Sequence, residues 1–115
     1  MAAVVLSHPR ASTKMPSADD HFQQIQSRVD SERAHLSVLD GQIKDPNLSH
    51  DLQEAVQWLD DVENIFLHSA RQEEARPDAL ARWFKYAEQA LVWAIARREE
   101  LQEIVAKYGP DAEAG

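Results

Sequence analysis

The stretch ALARWFKYAEQALVWAIA, residues 79–96, decides the fold. It contains no glycine or proline, and only Arg82, Lys85, Glu88 and Gln89 interrupt an otherwise apolar run. Placed at 100° per residue, Trp93, Tyr86, Trp83, Ala90, Ala87, Leu80, Leu91, Phe84 and Ile95 cover an arc of roughly 200°. A helix packed against two neighbours in a monomeric bundle uses roughly 140°. The surplus is carried at one edge by Trp83, Tyr86 and Trp93, which are therefore predicted to form a protein-binding surface. The plainer alternative is that this helix is the most buried of its bundle.

Outward from this stretch, the chain breakers mark the boundaries. Glycine occurs at 41, 109 and 115, and proline at 9, 16, 46, 77 and 110. Arg76-Pro77-Asp78 puts proline at a first helical position, where its missing amide costs nothing. Gly109-Pro110 reads as a glycine cap followed by a stop. A helix is predicted over about 77–108. Upstream, Leu52, Val56, Leu59, Val62, Phe66 and Ala70 form one stripe, widened by Ala55 and Ile65. Asp45-Pro46-Asn47 reads as a turn and Ser49 as the cap of a second helix, over 49–74. In the first stretch, Phe22, Ile25, Val29, Leu36, Leu39 and Ile43 keep heptad spacing, with Glu32 at a seam position that should be apolar. Ser17 with Asp20 reads as a capping box, and the first helix is predicted over 17–43.

The predicted class is therefore all-α: three long amphipathic helices in an antiparallel bundle of coiled-coil character, alone or completed by dimerisation. Residues 1–16 read as a disordered tail, with Met15 a candidate start, 17–109 as the bundle domain, and 110–115 as a flexible acidic tail. At 115 residues one core is expected.

Composition removes several functions. With no cysteine, disulfides, thiolate nucleophiles and cysteine-ligated metals drop out, and a reducing, cytoplasmic setting is expected. Ala2 to Leu6 is too short for a signal-peptide core or a membrane span. A net charge of −8 argues against direct nucleic-acid contact. That charge is uneven: residues 48–74 sum to −6 and residues 76–98 to +3, which favours contact between the second and third helices. Three scattered glycines cannot cradle a phosphate, and no Gly-x-Ser-x-Gly elbow exists.

What remains for chemistry is histidine and carboxylate. Glu32-x-x-His35 has the step that places both side chains on one helical face, as in di-iron bundles, but such a site needs a second copy and further glutamates. His35 also lacks the following lysine and glycine of a phosphoacceptor histidine. A single polar seam residue more often fixes register, and Glu32 suits that role or simply reaches solvent near a helix end. Arg98 falls on the apolar arc near Leu91 and Val105, so a pairing with Glu32 or with a partner's carboxylate is expected. Asp60-Asp61-Val62-Glu63 and Glu73-Glu74 read as solvated helix faces rather than cation sites. No cofactor or metal is expected.

Three functions follow. The leading one is a non-enzymatic protein-interaction module, an adaptor, regulator or inhibitor, presenting Trp83, Tyr86 and Trp93 to itself or to another protein, with a homodimer favoured. The alternative is an acidic decoy of the antitoxin, immunity or phage-inhibitor kind. Its face of Asp51, Glu54, Asp60, Asp61 and Glu63 would occupy the basic groove of a nucleic-acid-binding protein. A metal-dependent helical-bundle enzyme is a distant third.

Overall fold

The computed structural model describes residues 18–109, all helix apart from short connections. Helix α1 spans Ala18–Gln42. A second rod is built from α2 (Pro46–Asp61), a π-helical turn (Val62–Leu67) and the short α3 (His68–Gln72). Helix α4 spans Pro77–Tyr108. The expected tails, the Ser17 cap and the stop at Pro110 lie outside the described residues.

The heptad of α1 becomes one wall of the core. Phe22, Ile25, Val29, Leu36, Leu39 and Ile43 are between 0% and 8% exposed, so the apolar spacing is what aligns this helix on its neighbours. From α4 come Phe84, Leu91 and Leu101, and also Ala79, Ala87, Ala90 and Ala94, none more than 3% exposed apart from Phe84 at 6%. These small side chains let α4 approach both other rods closely, because interaxial distance follows side-chain size at the contact.

Pairing order fixes the directions. Between α1 and the second rod, Asp19 meets Arg71, Gln26 meets Glu63 and Arg33 meets Asp60. Between the second rod and α4, Glu73 meets Trp83, Trp58 meets Trp93 and Asp51 meets Arg97. Both series run in reverse. His21 with Glu88 and Glu32 with Arg98 run in the same sense. The second rod therefore points opposite to α1 and α4.

Two expectations for the second rod need correction. It starts at Pro46 rather than at Ser49, because Asp45 is the cap: its carboxylate accepts from the amides of Asn47 and Leu48 at 3.0 and 3.1 Å. Asp45 thereby satisfies donors that a helix start leaves open, and Pro46 at the first position has no amide to satisfy. The second correction concerns periodicity. The buried positions Leu48, Leu52, Ala55, Leu59, Val62, Leu67 and Ala70 advance in steps of three and four until Val62, and then by five. The π-helical turn absorbs that extra residue. A constant 3.6-residue period places Ile65 beside the core; the wider turn instead leaves Ile65 48% exposed and buries Leu67 at 7%.

The expected ends of α4 match: Pro77 stands at its first turn, and Gly109 closes it at φ 81°, donating its amide to Val105 at 2.7 Å. That backbone region is open to glycine and costly for other residues.

Candidate protein-binding surface

The two edges that α4 and the second rod bring together carry five aromatic rings. The π-helical turn sets Phe66 against Trp83 and Tyr86, with ring centroids 6.3 and 6.1 Å apart. Trp83 and Tyr86 meet edge-on at 5.7 Å, a favoured arrangement for ring quadrupoles. One helical turn and more along, Trp58 and Trp93 lie 6.0 Å apart. Phe66, Trp83 and Trp58 pack against the core and are partly buried. Tyr86 and Trp93 stand outside, 44% and 51% exposed.

These rings play different parts. The indole N–H of Trp83 donates to Glu73 at 2.9 Å, so its polar atom is already satisfied inside the molecule and it serves as a platform. Trp93 meets Trp58 on one flank, and a shallow cleft of about 210 Å³ opens beside it, lined by Trp58, Ala96, Arg97 and Glu100. Arg97 lies 5.8 Å above the Trp58 ring. Half of a tryptophan left in water is apolar surface that association would remove at about 25 cal/mol per Å². The apolar arc of the sequence points to Trp83, Tyr86 and Trp93 at this edge, but not to Trp58 and Phe66. Trp58 sits four residues before Val62 at the border of its stripe, which was a usable signal. A constant period counts Phe66 with the core stripe, because it cannot register the π-helical turn.

The acidic residues of the second rod are largely engaged within the chain. Asp60 pairs with Arg33 at 2.8 Å, and Glu63 pairs with the same guanidinium. Asp51 and Glu54 pair with Arg97 at 3.1 and 3.0 Å. Asp61 accepts from Gln57 at 3.0 Å. The uneven charge of the sequence is thus expressed as ion pairs between rods.

Glu32 and Arg98 form the most enclosed of these pairs. Arg98 donates through Nε and a terminal nitrogen to the two carboxylate oxygens at 2.8 and 2.7 Å, with the side chains 7% and 14% exposed. Arg98 also donates to Gln102 at 2.9 Å. The hydrogen bonds from Arg98 to Glu32 raise its guanidinium above the ordinary arginine range, against burial, which acts to lower it. His35 is exposed on the same helix, so the Glu-x-x-His step delivers its two side chains to different surroundings. Among the described residues no group of three or more metal-ligating side chains comes together. The same residues contain no helix long and apolar enough to cross a membrane.

Comparison with protein-family models, with curated proteins and with solved structures finds no match.

Proposed function

We propose that this chain is a non-enzymatic protein-interaction module that binds through the aromatic edge of α4, with Trp93 and Tyr86 as its contact residues and Trp58, Phe66 and Trp83 as their support. The observation that carries this reading is Trp93, 51% exposed on a helix whose opposite face is core. Tryptophan and tyrosine contribute most often to binding hot spots, particularly when neighbouring side chains hold them in place. The partner has matching chemistry: an apolar patch able to cover Trp93 and Tyr86. The acidic decoy reading draws less support, because Asp51, Glu54, Asp60 and Glu63 already have arginine partners.

The test is a photo-crosslinking amino acid introduced at position 93, with the same substitution at Val38 as control, since Val38 is 64% exposed on α1. A discrete adduct from position 93 and none from position 38, whether to the same chain or to another, is the expected result. Equal, diffuse labelling from both positions would remove the aromatic edge as a binding surface.

A further inference from the structure

The outward face of α4 is organised as a charge palindrome about the point between Val92 and Trp93. Lys85 and Glu100 are equidistant from that point, as are Arg82 and Glu103, and further out Asp78 and Lys107. Nearer the centre, Gln89 is matched by Ala96. All of these residues are exposed. At 100° per residue they fall in a single stripe about 60° wide, on the side of α4 away from the core and bordering the aromatic edge at Trp93. Each pair joins opposite charges, or small and neutral side chains at the centre.

We infer that this stripe is the contact face for a second copy of the chain, docked with the two α4 helices antiparallel around a twofold axis between Val92 and Trp93. The inference rests on the interaction reading above and names its partner. In an antiparallel contact about that axis, each residue faces the one equidistant on the opposite strand. Lys85 then meets Glu100 of the other copy, Arg82 meets Glu103, and Asp78 meets Lys107, each contact made twice. A parallel contact would set Arg82 on Arg82 and Glu103 on Glu103, like charges throughout. Val92 and Trp93, each 51% exposed, occupy the centre with Ala96, so the apolar area lies where hot spots lie and the charges form the rim. The rim therefore selects orientation and register more than strength. Within the chain, Arg82, Lys85, Asp78 and Glu103 enter no ion pair among the described residues, and Glu100, 63% exposed, pairs with Arg97 through one carboxylate oxygen at 3.3 Å, so its second oxygen and the other rim charges face the other copy.

The solution mass of the full chain, measured over a concentration series at physiological ionic strength, is expected to report a reversible dimer. Arg82→Glu and Glu103→Arg each turn two attractive contacts into repulsive ones and should each weaken the dimer about tenfold. The combined Arg82→Glu/Glu103→Arg chain should return to within about twofold of the parent, and circular dichroism checks that all three remain helical. Geometry is tested separately, since the chain has no cysteine of its own. Gln89→Cys/Ala96→Cys should give a covalent dimer with oxidised glutathione. Two positions seven apart on one helix, about 10.5 Å along its axis, cannot bridge within a chain. Efficient crosslinking by Gln89→Cys alone would indicate a parallel arrangement and overturn the proposal, as would a dimer indifferent to both charge reversals. A chain that stays monomeric while position 93 still crosslinks another protein removes the second copy but leaves the interaction reading intact.

Discussion

At the scale of single residues, the pair Glu32 and Arg98 shows how a polar residue survives on an apolar seam. Both side chains are nearly excluded from water, and each would be costly alone; together they satisfy one another through two short hydrogen bonds. Arg98→Leu leaves a buried carboxylate without a counter-charge and should destabilise the chain by about 3 kcal/mol in urea unfolding. Glu32→Leu/Arg98→Leu should recover most of that loss, because replacing both charges by apolar groups removes the desolvation cost as well as the attraction. If the single change proves harmless, the pair has no structural role. The pH dependence follows from the raised guanidinium. A group raised on folding contributes stability that is complete below its unfolded value and is lost only as pH climbs through the folded one. Both values lie beyond neutral and mildly alkaline pH, so across that range the arginine's contribution should stay constant. Between two purely apolar positions the contrast is simpler: Leu59 and Leu91 are 0% exposed, and truncation of either to alanine should cost roughly 2 to 5 kcal/mol. All four positions were legible in the sequence, Glu32 and Arg98 as polar interruptions of apolar seams. Their bidentate geometry was not, since it depends on how α1 and α4 are aligned along their axes.

At the scale of elements, the three rods differ in how openly the sequence announces them. The seam of α1 repeats regularly, so every predicted apolar position is buried. The ends of α4 carry proline at a first position, where its missing amide costs nothing, and glycine at a positive φ that is costly for other residues. The second rod departs from regularity, and no local residue type marks its π-helical turn, because the extra residue is accommodated by packing on both sides. Val62 and Leu67 reach the core from either end of the turn, while Glu63 meets Arg33 and Phe66 meets the rings of α4. Deleting exposed Asn64 should close the turn into an ordinary α-helix, since Val62 and Leu67 would then be four residues apart. The expected outcome is a chain whose thermal midpoint is maintained but whose tryptophan fluorescence and association are altered, as Phe66 loses its station beside Trp83 and Tyr86. A collapse of helicity instead would mean that the turn is required by the fold. The missed membership of Phe66 in the surface has this single cause. At the start of the same rod, Asp45→Ala should cost about 1 kcal/mol by removing the acceptor that holds the amides of Asn47 and Leu48.

At the scale of the whole molecule, charge acts in two opposing ways. Locally, opposite signs are matched: Arg33, Arg71, Arg97 and Arg98 each join carboxylates across a boundary between rods. Globally, the chain carries −8, and two such chains repel. For two bundles docked through α4, with centres on the order of 20 Å apart, that repulsion is about 7 kcal/mol at 0.01 M salt and about 1 kcal/mol at 0.15 M, because the Debye length shrinks from about 30 to 8 Å. The rim pairs of the proposed contact are exposed and of a kind worth less than about 1 kcal/mol each, so screening them forfeits less than screening the net charge gains. Self-association should therefore be weakest in dilute buffer, strengthen as salt rises to the physiological range, and then level off. An acidic decoy bound to a basic groove behaves in the opposite way, its affinity falling steadily with added salt. The sign of the salt dependence of self-association, measured by light scattering from low to moderate ionic strength, therefore tests the proposed contact on the chain alone. A dimer that is tightest in dilute buffer would show that rim charges, rather than the apolar centre at Val92 and Trp93, provide most of the affinity.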